Sequence, residues 1–101
     1  MREVTRYICV TFNIVPEDGQ YSAVCPELGT ASCGETVDEA VKNIREAVLV
    51  DLNTLEHFGE RERFFSKRKI RMYSRPIESA GKPLTPKVGE FITRQNIPVV
   101  A

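Results

Sequence analysis

The first residues that could do chemistry are three acids within five positions. Glu35, Asp38 and Glu39 follow Cys33 in the stretch CGETVDEAVKNIREAV. General acid–base catalysis would need carboxyl groups whose surroundings separate their pKa values. The same spacing has a structural explanation, because Thr36 and Glu39 are three residues apart, as in a capping box, and the helix dipole favours acids in a first turn. We therefore predict that these acids begin a helix and do not form a catalytic pair.

Thiol and metal chemistry are the next possibilities. Of the three cysteines, Cys33 is the candidate reactive thiol, because a helix N-terminus lowers thiol pKa values. Cys9 and Cys25 fall in strand-like segments and are expected to pack as small apolar residues. His57 is the single histidine, no CxxC pair occurs, and no glycine loop of the phosphate-binding type is present. We predict no catalytic residue, no metal site, no cofactor and no enzymatic activity.

The charges are unevenly spread along the chain. Residues 17–62 hold eleven of the fourteen acids, and residues 61–75, the basic band, hold seven of the fourteen bases. Because the formal net charge is zero, the whole molecule is not strongly steered towards nucleic acid or membrane. Arg68, Lys69 and Arg71 are candidate contacts for RNA phosphates. A solvated helix face or a counter-surface for the protein's own acids is the favoured interpretation of the band.

Three strands are predicted in the first third of the chain. Residues 6–15, RYICVTFNIV, alternate between two faces and are rich in β-branched and aromatic residues. The turn signals of residues 16–19 lead into a second strand at residues 20–25, which gives a hairpin with a four-residue loop. A short third strand at residues 30–33 completes an antiparallel meander.

One long helix is predicted to follow, from Thr36 as N-cap to about Phe58. Its apolar stripe is expected to cover the meander. Asp51 falls inside that stripe, and we expect it to meet solvent or a base of the basic band, with a functional carboxylate as the alternative. Leu49 and Val50 fall outside it, either as ordinary surface residues or as an oligomer contact.

The second half of the chain is less regular. Segment 60–73 is predicted to form a short helix and then an edge strand. The proline-rich tail reads as loop, with one possible short strand at residues 90–94. The predicted fold is α/β (α+β), a two-layer sandwich of an antiparallel β-meander, one long helix and an edge strand in the order β-β-β-α-β. We predict a domain at residues 1–73 and a C-terminal extension at residues 74–101, packed on the domain or on a partner subunit.

An ordered set of short motifs resembles the HicB-like antitoxin family. Its members show a strand, a PEL loop, a short strand, a G-[DE]-T helix start and then an EA…N…EA pattern. In this chain the matching residues are Tyr21, Ala23, Pro26-Glu27-Leu28, Gly34-Glu35-Thr36, Glu39-Ala40, Asn43 and Glu46-Ala47. The resemblance spans roughly residues 7–55, about half of the chain. It departs from the family at Gly29, where relatives often have a second proline.

The resemblance implies a partial RNase H-like fold and a non-enzymatic antitoxin. Such a protein binds and blocks a small basic toxin, an mRNA interferase. The acids nearest the PEL loop and the helix start, Glu27, Glu35 and Asp38, are the candidate partner contacts, since complementary charge speeds association. The alternatives are a small RNA-binding module that uses the basic band, or a homo-oligomeric protein of another cellular role.

Several further expectations concern partners and location. The residues after Tyr73 do not read as a helix-turn-helix, so DNA binding is not expected. A chain of this size is expected to self-associate as a dimer or tetramer. The N-terminal residues MREVTRY lack the apolar run of a signal peptide, and no stretch approaches the roughly 20 apolar residues of a membrane span. We therefore expect a cytoplasmic protein with reduced thiols and no membrane partner.

Overall fold

A computed structural model describes residues 5–77 and 90–100 of the chain as a four-stranded antiparallel sheet and two helices. The elements are β1 (Thr5–Glu17), β2 (Gln20–Cys25), β3 (Thr30–Gly34), α1 (Val37–His57), α2 (Arg61–Arg68) and β4 (Phe91–Val100). The strand order across the sheet is β3-β2-β1-β4. The predicted α+β class and the β-β-β-α-β order are therefore confirmed, with α2 placed between α1 and the last strand.

The alternation predicted for β1 is confirmed, and its apolar residues form the sheet side of the core. Ile8, Val10, Phe12 and Ile14 have no exposed surface, and the residues between them are half-buried. The hairpin after β1 is tighter than predicted, because Pro16 belongs to the strand and pairs with Tyr21. Only Asp18 and Gly19 form the turn, at φ 51° and 81°. Positive φ at both turn residues matches the right-handed twist of the flanking strands, which explains the two-residue loop.

Helix α1 covers the sheet with residues spaced four apart. Ala40, Ile44, Val48 and Leu52 are its buried residues, as expected for one stripe of an amphipathic helix. At its start the Thr36 hydroxyl accepts from the Glu39 N–H at 3.1 Å, as predicted. The Glu39 carboxylate accepts from the N–H of Glu35 instead of that of Thr36, at 3.3 Å, so the second half of the predicted capping box is shifted by one residue.

Glycine is needed where β3 meets the first turns of α1. Gly34 is buried, and a Cβ built on it would lie 2.4 Å from the main-chain nitrogen of Ala40. Because that contact is with main chain, no side-chain rotation could relieve it. The absence of a side chain at Gly34 therefore lets the end of the strand approach the start of the helix.

The prediction of an edge strand within segment 60–73 is wrong. Helix α2 forms as expected, with Phe65 buried, and ends at Lys69, which has φ 58°. In the chain beyond it, the one strand-like contact with β1 among the described residues is at Tyr73, which exchanges two main-chain hydrogen bonds with Tyr7, at 2.8 and 2.7 Å. Further on, the main chain of Ile77 is held by the Asn96 side chain of β4, with two hydrogen bonds of 3.0 Å. Met72 is exposed, so the alternation in this segment did not mark a buried face.

The fourth strand comes from the segment that was expected to be an extension. β4 is ten residues long, where only a short strand at residues 90–94 was foreseen, and it makes ten residue pairs with β1. It places Ile97 and Val99 in the core. Pro98 lies opposite Tyr7, whose main-chain hydrogen bonds go to Tyr73 and not to β4. The N–H group that proline lacks is therefore not needed for a hydrogen bond between β1 and β4, and proline is accepted at this edge of the sheet. Residues 78–89 and 101 of the predicted extension lie outside the described residues.

Candidate functional site

Acids from two separate segments gather at one end of the sheet. The turn between β1 and β2 carries Glu17 and Asp18, and the start of α1 carries Glu35 and Asp38. They come together because β2 and β3 pair there, at the register Tyr21↔Gly34. All four acids are exposed, and we call them the acidic end. The sequence predicted Glu35 and Asp38 here but treated Glu17 and Asp18 only as turn residues.

Glu27 lies away from the other two predicted partner contacts. The PEL loop precedes β3, and Glu35 follows it, so the whole strand separates them. The Glu27 carboxylate accepts from the Thr11 N–H at 3.0 Å and from the Thr11 hydroxyl at 2.8 Å. Since β2 has ended at Cys25, the carboxylate takes the place of a strand partner for Thr11. The structure brings Glu35 and Asp38 together and places Glu27 elsewhere.

Asp51 takes part in a contact that the sequence did not suggest. Its side chain is exposed, in line with an overhanging helix, but its carboxylate accepts from the hydroxyl of Thr30. Thr30 is buried, with 6% of its surface exposed, so Asp51 supplies the acceptor for a buried hydroxyl. Within the described residues no ion pair joins Asp51 to the basic band.

The three cysteines are free and occupy different surroundings. Cys25 is fully buried, and burial raises its pKa from 9.0 to about 12, so the thiol is protonated at neutral pH. Cys9 is half-buried, and Cys33 is exposed on β3. His57 is exposed and lies edge-on to Phe58, with the ring centroids 5.0 Å apart. Across residues 5–77 and 90–100, no group of three His, Cys, Asp or Glu side chains is arranged to hold a metal ion.

The predicted RNA contacts converge on one cavity of about 160 Å³, which we call the basic pocket. Its charged and reactive lining residues are Cys9, Glu27, Arg68, Lys69, Arg71 and Arg94. Arg68 also lies over the ring of Phe64, with its guanidinium carbon 5.0 Å from the ring centroid. Sequence reasoning missed Arg94, because nothing local in the chain indicates that β4 pairs with β1.

The predicted oligomer contact is an exposed apolar patch on α1. Val50 is 62% exposed and Leu49 is 37% exposed. Leu49 also lines a cavity of about 300 Å³ beside Pro98 and Val99 of β4. The patch is therefore continuous with the end of the sheet where α1 and β4 meet.

Comparison with known proteins adds no relative to this description. In the part of the chain that the structure describes, neither helix is long and apolar enough to cross a membrane. No protein-family model, no curated protein and no solved structure matches the chain.

Proposed function

We propose that this chain is a non-enzymatic, HicB-like binding protein of the antitoxin type. It acts in the cytoplasm and occludes the active surface of a small basic mRNA interferase. The ordered motifs from the PEL loop to the EA…N…EA pattern support the assignment, and so does the β-β-β-α-β order, which the resemblance implies. Three free thiols are in keeping with a reducing compartment.

The acidic end is the observation that carries this proposal. Glu17, Asp18, Glu35 and Asp38 are exposed together, and the ion pairs found within residues 5–77 and 90–100 leave all four out. Four like charges at the same end of the sheet raise the local negative potential, which speeds encounter with a basic protein and favours one orientation of it. Half of the bases of the chain, seven of fourteen, lie in the basic band, a segment that contains none of these four acids.

The test begins by determining whether a gene next to the one for this chain encodes a short basic protein, which the proposal requires. The two proteins should co-purify when expressed together, and the binding protein should relieve the growth arrest that the basic protein causes. The affinity of the purified pair would be measured by calorimetry at about 0.15 M salt, where screening over about 8 Å restricts electrostatic effects to nearby charges.

A matched pair of double variants locates the contact. Glu35→Lys with Asp38→Lys should weaken the complex by at least about tenfold, because two attractive charges become repulsive. Glu46→Lys with Glu62→Lys makes the same charge change at other exposed positions and should alter the affinity by less than about threefold. Equal losses in both variants would exclude the acidic end as the contact surface, and failure to form any complex would refute antitoxin function.

A further inference from the structure

The basic pocket lies at a gap in the pairing of β1. From Asn13 onward β1 pairs with β2, and on the same edge Thr11 binds the Glu27 carboxylate while Tyr7 binds the main chain of Tyr73. Main-chain groups of alternate residues point to the same strand edge, so those of Cys9 face the space between these two attachments. The cavity therefore exists because β2 ends early and segment 70–73 returns to the strand at only one residue.

Four bases from two distant segments of the chain line this gap. Arg68 ends α2, Lys69 reverses the chain with φ 58°, and Arg71 follows two residues later. Arg94 comes from the other side of β1, where it pairs directly with Thr11. Paired residues of an antiparallel ladder project to the same face, so Arg94 lies on the face where Glu27 reaches the Thr11 hydroxyl.

The charges of the pocket are not balanced by its own acid. Glu27 is the one carboxylate that the described residues contribute to the lining, and both of its oxygens already accept hydrogen bonds from Thr11. Within the described ranges, neither ion pair, Arg61–Glu56 or Arg63–Glu60, involves the bases of the pocket. Four like charges held around one cavity repel each other, and a bound anion would remove that repulsion through charge-assisted hydrogen bonds.

The size of the cavity indicates which anion it takes. Its volume of about 160 Å³ is below the range of about 300–1,000 Å³ that encloses a whole small-molecule ligand. It therefore suits one group of a longer molecule. Two further exposed bases, Lys67 and Arg75, lie within two residues in sequence of lining residues of the pocket. A half-buried aromatic ring, Tyr73, lines the wall, where a base next to a bound phosphate could stack.

We propose that the basic pocket binds a backbone phosphate of single-stranded RNA. A flexible strand can turn a phosphate into a recess, whereas a duplex presents its phosphates on a stiff cylinder. Arg94 and Arg71 contact the phosphate, and Arg68, held against the ring of Phe64, supplies a third positive charge. This site shares no residue with the acidic end, so variants of the pocket and variants of the acidic end test the two proposals separately.

Fluorescence anisotropy with a short labelled RNA of mixed sequence tests the site. Arg94→Gln and Arg71→Gln should each weaken binding by about tenfold, as expected for one lost charge-assisted contact. Each should also reduce the magnitude of the salt slope by about 0.7. Arg63→Gln loses the same charge from a side chain that is 81% exposed and outside the pocket, and should weaken binding by less than about threefold. Arg71 is exposed, so its variant retains the fold, which thermal melting verifies.

A variant that should raise the RNA affinity distinguishes a phosphate site from nonspecific binding. Glu27→Gln removes a negative charge from the lining and keeps an oxygen for the Thr11 N–H, so RNA affinity should rise by about fivefold. Equal losses for the Arg94, Arg71 and Arg63 variants would overturn the proposal, as would absence of RNA binding at low salt. Calorimetric binding of inorganic phosphate as tight as that of RNA would also overturn it, because the pocket would then hold a free anion.

Discussion

Replacing Gly34 with alanine should weaken the fold at the junction of β3 and α1. An added Cβ would lie 2.4 Å from the nitrogen of Ala40, 2.8 Å from the carbonyl carbon of Glu39 and 2.9 Å from the Cα of Ala40. These are main-chain atoms of the first turns of α1, so they cannot rotate away. To accept the methyl group, the helix start must move off the strand.

The expected cost follows from what that movement disturbs. Overpacking of a well-filled site costs typically about 1–3 kcal/mol, and contact with main chain places Gly34→Ala at or above the upper end. The shift also pulls on the Thr36 cap, which is worth about 1 kcal/mol, and on Ala40 in the core. We expect a loss of about 3–4 kcal/mol, a large part of the 5–15 kcal/mol of a small domain.

Urea unfolding followed by circular dichroism measures this loss. Gly19→Ala is the control, because Gly19 has φ 81° and an added Cβ would have no atom within 4 Å. This variant should lose only about 1–2 kcal/mol, the cost of placing alanine in the left-handed region. The urea dependence of the free energy should be unchanged in both variants, since the same surface unfolds. If Gly34→Ala were as stable as the wild type, or more stable than Gly19→Ala, the close-approach argument would be refuted.

Three other features give predictions of stability, reactivity and assembly. Asp51→Ala should leave the buried Thr30 hydroxyl without its acceptor and lower the free energy of unfolding by about 1–2 kcal/mol, whereas Asp51→Asn should lower it less; an unchanged urea midpoint for Asp51→Ala would contradict this. Because burial raises the pKa of Cys25 from 9.0 to about 12, the unfolded state loses this thiol proton first as the pH rises. Stability should therefore fall by at most about 1.4 kcal/mol per pH unit above pH 9, and urea titrations should show that Cys25→Ala lacks this component. In native protein treated with iodoacetamide, mass spectrometry should find Cys33 alkylated well before Cys25, and the reverse order would disprove the assignment of burial. If the α1 patch is a subunit contact, Val50→Asp should reduce the mass measured by light scattering to that of a monomer, and an unchanged oligomer would exclude the patch.

Features set by neighbouring residues were predictable from the sequence. The alternation from Ile8 to Ile14 identified the buried face of β1, since a strand repeats every two residues. Thr36 and Glu39 identified the start of α1, because a capping hydrogen bond spans only three residues. The helix stripe through Ile44 was predictable because residues three and four apart lie on the same face of a helix. These parts of the fold depend on hydrogen bonds between residues close in sequence, or on the burial of one face of an element against the core.

Features that depend on distant pairing were not predictable. The strand potential of residues 91–100 is hidden by Pro98, and only the position of β4 at a sheet edge makes that proline acceptable. Glu27 lies in a loop segment, where an acid is expected to be exposed. Its hydrogen bonds to Thr11 exist only because β2 ends at Cys25 and leaves the Thr11 main chain without a strand partner. The basic pocket combines both effects, since Arg94 reaches it through β4.

The pairing of β4 with β1 has a consequence for how the protein is made. The register joins Thr5 to Val100, so β1 is synthesised first and waits for its neighbour until residues 91–100 have left the ribosome. During that interval one edge of a thirteen-residue strand is open to other nascent chains, and an open edge promotes aggregation. Deleting residues 91–100 would make that exposure permanent, so we expect the shortened chain to accumulate in inclusion bodies.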